Sequence, residues 1–304
     1  MTALRLNQVT KEYPGHTALH QISFEVLKGS VHAFLGPNGA GKSTTMKILT
    51  GLIPATSGTV EVNAKVGFLP ENPPLYPSMK VRDYLKFVFD IQTLKKKIPQ
   101  KPENIGEVMS RCGLDAVADR LIGNLSKGYR QKVGIAQALV FHPEIIILDE
   151  PTVGLDPQAI AEIRELILSL KNDHTILLST HQLYEAELIS SHLTIINQGR
   201  VLTSGRLSDV KRSIQTTQLV KIKCREGISR LSSEIESKFQ FKMIENQEKN
   251  GLQEIKLSSS NPKDQRAELL SFLALSQIGL CEFQELKPDL EEVFKQITQK
   301  GIQL

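Results

Sequence analysis

Over residues 1–30, apolar and polar positions alternate. Leu4, Leu6 and Val9 form one apolar series and Ile22, Phe24 and Val26 a second, with turns at Pro14-Gly15 and Lys28-Gly29. A period of two broken by turn residues predicts paired strands. Residues 31–35 read as a buried strand, and a helix follows over 45–50, stopped by Gly51 and Pro54. Short strands are expected at 59–62 and 66–69. Pro70, Pro73, Pro74 and Pro77 then make an irregular loop that cannot join a ladder. Beyond it lie helical patterns at 81–94, 103–112 and 128–141, a helical insertion over about 72–141. Ile145-Ile146-Ile147-Leu148 is apolar on both faces, as a buried parallel strand must be. A helix at 158–170, a strand at 175–179 and a helix at 183–189 continue the α/β alternation. After Ser204-Gly205 the texture shifts to a strand at 219–224, a helix at 229–239, strands at 241–245 and 252–257, a helix at 263–275, a strand at 280–286 and a helix at 289–298. That β-α-β-β-α-β order predicts a small ferredoxin-like domain.

Composition changes this picture little. The chain has 304 residues, 40% hydrophobic and 23% charged, which are ordinary values for a globular protein with room for a second domain. The net charge is +4. From 215 onward there are 13 basic and 13 acidic residues, so the tail is no polybasic arm for nucleic acid. Cys112, Cys224 and Cys281 match neither a disulfide framework nor a metal spacing, which fits a reducing cytosol. No leader pattern and no apolar run near the ~18 residues of a membrane span is read. A membrane role would have to come through a partner chain.

The most specific chemistry is the run Gly36-Pro37-Asn38-Gly39-Ala40-Gly41-Lys42-Ser43-Thr44, set between a strand and a helix. In that context G-x-x-x-x-G-K-[ST] is a phosphate-binding loop. Its glycines let the backbone approach phosphates, and its successive N–H groups form an anion nest at a helix N-terminus. Lys42 reaches the terminal phosphates, and the Ser43 hydroxyl is placed to hold Mg²⁺. The ligand is a nucleoside triphosphate.

A second constellation runs from Ile145 to Pro157. The apolar strand ends in Asp149-Glu150, followed by Gly154-Leu155-Asp156-Pro157. Carboxylates at the carboxyl end of a buried parallel strand lie where such sheets bind ligands. Asp149 is expected to hold Mg²⁺ through water, and Glu150 to act as general base on the attacking water.

Together with Leu125-Ser126-Lys127-Gly128-Tyr129-Arg130-Gln131 and Ser179-Thr180-His181, these segments resemble the motif set of ABC-transporter nucleotide-binding subunits, in that family's order, from about Leu4 to Gly205. The signature LSKGYRQ and the loop Phe68-Leu69-Pro70-Glu71 are most similar to the gliding-motility and multidrug-efflux type of bacterial ABC ATPase. The resemblance implies a P-loop NTPase core with an N-terminal antiparallel β subdomain and a helical insertion (1–214), followed by the small α+β domain (215–304). It implies ATP and Mg²⁺ as ligands, with Asp156 among the nucleotide-binding residues. Tyr13 matches the aromatic that stacks on adenine. Ser126 and the Gly128 backbone match a loop that touches the γ-phosphate bound to the opposite subunit, and His181 matches the residue that senses that phosphate.

Two departures stand out. Glu71 occupies a position where most of the family has a Gln touching Mg²⁺. Lys127 and Tyr129 replace a Gly and a Gln, with Lys127 either neutralising phosphate charge or facing solvent. The remaining histidines, His16 among them, are read as structural. The resemblance implies an ATPase that powers an exporter by dimer closure. It would act as a homodimer, or beside a related ATPase, on a membrane-spanning permease of separate chain, at the cytoplasmic face of the cell membrane. The segment from Glu71 to Ser78 resembles the seat for a helix of that permease. The tail caps the core, holds a dimer or regulates. Rival readings are a soluble ABC ATPase of DNA repair or translation, and a force-generating part of a surface-motility assembly.

Overall fold

The computed structural model describes residues 1–96, 105–214, 218–225, 227–249, 251–259, 261, 263–276 and 278–286. The helix expected at 289–298 lies outside them. The chain divides into two compact units between Leu207 and Ser208, ahead of residue 214.

In the first unit, β1 (Thr2–Tyr13) and β2 (His16–Leu27) form a hairpin closed at Pro14-Gly15, where Gly15 takes φ +78°. β3 (Val31–Leu35) leads through the glycine-rich loop into α1 (Lys42–Leu49), and β4 (Ser57–Val62) adds to the free edge of β1. Alternation places Leu4, Leu6, Val9, Ile22, Phe24 and Val26 on the buried face of this small sheet. β5 (Val66–Leu69) precedes the insertion, which comprises α2 (Val81–Lys96), α3 (Ile105–Arg111) and α4 (Lys127–Leu139). β6 (Ile145–Asp149), α5 (Pro157–Leu170), β7 (Thr175–Thr180) and α6 (Leu183–Ile189) follow, then the hairpin β8 (His192–Asn197) and β9 (Arg200–Arg206).

The main sheet runs β5-β6-β7-β3-β8-β9, parallel up to β8 and antiparallel at β9. Its central strands β3, β6 and β7 are buried on both faces. Ile146 and Leu148 of β6 join the core shared with α4 and α5, while Ile145 and Ile147 join the core shared with β1, β2 and α1. Each such side chain contributes about 2 kcal/mol of burial. The parallel register aligns the carboxyl ends of β3, β6 and β7, so the glycine-rich loop, Glu150 and His181 emerge on one edge of the sheet.

The second unit holds most of α7 (Leu207–Ile214), then β10 (Gln218–Cys224), α8 (Ser232–Phe239), β11 (Lys242–Lys249), β12 (Leu252–Ser259), α9 (Arg266–Leu275) and β13 (Leu280–Leu286). Its sheet order is β11-β12-β10-β13, antiparallel throughout, which is the split β-α-β arrangement of a ferredoxin-like unit. Val220, Ile222, Ile255 and Leu257 pack under Ile235 of α8 and Leu269 and Leu273 of α9.

Candidate functional site

The loop after β3 is shaped by positions that exclude a side chain. A Cβ on Gly36 would lie 2.5 Å from the Ile196 carbonyl oxygen, and one on Gly41 would lie 2.6 Å from Leu19 Cδ2. Gly39 and Gly41 also take φ +79° and +104°, which glycine adopts without penalty. With Gly41 as left-handed N-cap, α1 starts at Lys42, earlier than the helix read at 45–50. Its first N–H groups therefore face the loop's own concavity.

That concavity is part of a cleft of about 440 Å³. Asn38, Gly39, Gly41, Lys42, Ser43 and Thr44 line one side of it, and Tyr13, Glu71, Glu150 and His181 line the rest. Gly36, Pro37 and Ala40 of the same loop are not among the residues lining the cleft. The Lys42 ammonium donates to the Gly36 carbonyl at 2.8 Å and to the Pro37 carbonyl at 3.2 Å.

The two acids at the end of β6 part company. Asp149 is 2% exposed and accepts a hydrogen bond from Ser179 Oγ at 2.5 Å, behind the cleft wall. Glu150 turns out of the strand at φ +49°, a conformation that costs a non-glycine residue ~1 kcal/mol or more. Its N–H is held by both the carbonyl and the hydroxyl of Ser179, at 3.2 and 3.0 Å. This turn carries the carboxylate to Lys42, with Nζ 3.0 Å from Oε1 and both side chains under a tenth exposed. Oε1 has no aligned donor, so the contact is one of charge rather than a directed hydrogen bond. Oε2 lies 2.9 Å from His181 Nδ1. Lys42, Glu150 and His181 thus converge within one chain.

Tyr13 stands at the mouth of the cleft, 43% exposed, with Lys11 Nζ 5.1 Å from its ring centre. One face of the ring carries a cation, which polarises it, and a flat aromatic ligand would stack on such a ring. His16, read as structural from the sequence, also lines the cleft, because the hairpin register sets it opposite Tyr13. That pairing across Pro14-Gly15 was the available signal. Val153 and Ala18 are further lining residues that sequence reasoning did not single out.

Three expected nucleotide contacts lie off this cleft. Ser126 caps α4, accepting from the Tyr129 N–H at 3.3 Å. Gly128 packs so closely on α5 that a Cβ would come 2.9 Å from that of Ala159. Asp156 caps α5, accepting from the Ala159 N–H at 2.8 Å. Lys127 is exposed and donates to the Val153 carbonyl at 2.7 Å, a contact that neither sequence reading of it contained.

A hard divalent cation suits the donors present. Ser43 and Glu71 offer a hydroxyl and a carboxylate on the cleft wall. Among the described residues no three His, Cys, Asp or Glu side chains cluster as a self-sufficient metal cage. An ion here would complete its shell with phosphate oxygens and water, the usual manner of Mg²⁺.

Comparison with known proteins bears on the family. Residues 19–153 match the ABC transporter family. A lantibiotic transport ATP-binding protein of Streptococcus pyogenes is 36% identical over 209 residues, covering 66% of this chain and 89% of that one. An uncharacterized ABC transporter ATP-binding protein of Bacillus subtilis (strain 168) is 30% identical over 313 residues, covering 98% of this chain and 96% of that one, so the likeness extends through the second unit. Among solved structures, an ATP-binding cassette of an ABC transporter in its ADP conformation superposes with a TM-score of 0.60 at 28% identity, over 69% of this chain and 92% of that one. No helix among the described residues is long and apolar enough to cross a membrane. The readings as a DNA-repair, translation or motility ATPase give way. The chain belongs to the ABC transporter family, as an ATP-binding subunit whose hydrolysis of ATP is coupled to transport.

Proposed function

We propose that Lys42, Glu150 and His181 are the working residues of the hydrolytic site, and that their convergence at one buried carboxylate is the observation that carries the assignment. Lys42 and the N–H groups of the Gly39–Thr44 loop hold the β- and γ-phosphates of ATP, and Tyr13 stacks on the adenine. When triphosphate enters, phosphate oxygens take over Lys42 from Glu150. The freed carboxylate then accepts the proton of the attacking water, and His181 stays within reach of both Glu150 and the terminal phosphate. Ser43, Glu71 and, through water, Asp149 would hold Mg²⁺, which would supply charge neutralisation to the phosphates.

Ser126, Gly128 and Asp156 lie outside the chain's own cleft, which supports a role toward the nucleotide of a second subunit. We infer a dimer closed by two ATP molecules, seated on a membrane-spanning partner of separate chain at the inner face of the membrane. The partner's helix docks along Glu71–Ser78. Export is the direction we infer, from the likeness of LSKGYRQ and Phe68–Glu71 to the efflux type. Nucleic acid has no place in this reading.

Glu150→Gln tests it. The amide keeps the shape, removes the base and no longer competes with phosphate for Lys42, so the variant should bind ATP at least as tightly as wild type, lose turnover by about 10²-fold or more, and sediment as a dimer with ATP and Mg²⁺. Wild-type turnover in this variant would remove Glu150 from the role of base.

A further inference from the structure

Lys127 opens α4, and the loop it reaches is the one that carries Glu150. From Glu150 onward the chain folds back on itself through two long bonds, Val153 N–H to the Glu150 carbonyl at 3.2 Å and Leu155 N–H to the Thr152 carbonyl at 3.3 Å. The Lys127 ammonium binds the Val153 carbonyl at 2.7 Å, shorter than either and charge-assisted. Val153 stands on the cleft wall beside Glu150 and Lys42. The next residue, Gly154, takes φ +67°, and a Cβ there would lie 2.4 Å from Lys127 Nζ. Loop and ammonium are therefore fitted to each other.

The mount of Lys127 is fixed as well. Ser126 caps its helix, Gly128 abuts Ala159, and Lys132 pairs with Glu162 at 2.7 Å between α4 and α5. A short, charged tie thus runs from a braced helix N-terminus to the far end of a turn whose first residue is the strained Glu150.

We propose that Lys127 is a positioning residue for hydrolysis: by holding the Val153 carbonyl it fixes the turn that aims the Glu150 carboxylate. The inference rests on Glu150 being the base. The glycine that most of the resembling family carries at this position has no side-chain donor, so the tether goes with the LSKGYRQ form of the signature. It acts on the orientation of the carboxylate and leaves the phosphate loop untouched, so its loss falls on kcat and spares KM.

The experiment is steady-state ATP hydrolysis by the full chain as wild type, Lys127→Met, Lys127→Gln, Lys127→Arg, Glu150→Gln and the Lys127→Met/Glu150→Gln pair, with ATP affinity measured separately at equilibrium. Lys127→Met keeps the stem and removes the donor. It should lower kcat by about tenfold, the lower range for an exposed charged hydrogen bond, with KM and ATP affinity within about twofold. Lys127→Arg should recover most of the rate and Lys127→Gln an intermediate part. In the Glu150→Gln background Lys127→Met should slow residual turnover no further, because the tether acts through Glu150.

Wild-type kcat in Lys127→Met overturns the proposal. So does a raised KM at unchanged kcat, which would make Lys127 a phosphate contact, or an undiminished tenfold loss in the Glu150→Gln background. If Lys127→Met does not fold, a wild-type kcat in Lys127→Gln or a full loss in Lys127→Arg overturns it equally. Wild-type turnover by Glu150→Gln alone would instead defeat the assignment of the base, an outcome read from a different variant.

Discussion

Replacing Lys42 with Met should destabilise the nucleotide-free protein itself, apart from any effect on ATP. Lys42 and Glu150 are 6% and 8% exposed, with Nζ and Oε1 3.0 Å apart. At an effective dielectric near 20, two unit charges at that distance attract by about 5.5 kcal/mol. Burial of both ions offsets much of this, so the intact pair is close to neutral in net stability. Removing one partner is different, because the other is left buried and uncompensated at a typical cost of 3–5 kcal/mol. His181 sits 2.9 Å from the second oxygen of Glu150, and its side chain is 37% exposed. It can therefore take up part of the compensation, which places the expected loss near the bottom of that range, about 3 kcal/mol. Methionine keeps the length and apolar packing of the lysine stem, so little of the loss comes from a cavity.

Urea denaturation followed by far-UV circular dichroism, with no nucleotide present, measures the loss in the chain, which has no tryptophan. The Lys42→Met/Glu150→Gln pair removes both charges and should regain most of the stability, giving a coupling of at least about 2 kcal/mol in the double-mutant cycle. A loss below about 1 kcal/mol for Lys42→Met, or a double variant whose loss is the sum of the two single losses, would refute the claim that this pair neutralises a buried site.

Two further outcomes follow from residues outside the ion pair. Glu71→Gln, at the cleft wall, should raise the Mg²⁺ concentration needed for half-maximal ATPase rate and raise the rate at saturating Mg²⁺, since a unit charge about 5 Å from the γ-phosphate is worth roughly 3 kcal/mol before screening; superimposable Mg²⁺ titrations would remove Glu71 from the metal site. Burial, aided by the neighbouring His192, pushes His32 down from 6.5 to about 3, with its Nε2 2.8 Å from Thr194 Oγ1. The unfolded chain therefore takes up a proton below about pH 6.5 that the folded chain refuses until about pH 3, and stability drops as pH is lowered across that window, by up to about 1.4 kcal/mol per unit. His32→Gln should flatten the urea stability between pH 6 and 4, and slopes parallel to wild type would show that His32 does not carry the effect.

What the sequence made legible was local or periodic. The glycine-rich loop declares itself because its spacing, strand and helix are contiguous, and the strand order of the second unit follows from alternation and turn residues alone. The β8–β9 hairpin was not anticipated. β9 reads Arg-Val-Leu-Thr-Ser-Gly-Arg and is mostly half-exposed, so it lacks the clean alternation that marks a strand. His16 escaped notice because its place in the cleft depends on hairpin register, and Val153 because its contact comes from Lys127 on a distant helix. The doublet Asp149-Glu150 shows most clearly where such reading stops. Successive residues of a strand point to opposite faces, so both acids cannot face one cleft while the backbone stays extended. Sequence reasoning sends one to the metal and one to the water without saying how the chain separates them. The structure separates them with Glu150 in the left-handed region and with one serine, whose hydroxyl binds the Asp149 carboxylate and, together with its carbonyl, the Glu150 N–H. Ser179 had entered only as the flank of a motif around His181. It is the residue that holds one acid on the sheet and fixes the backbone of the other as it turns toward Lys42.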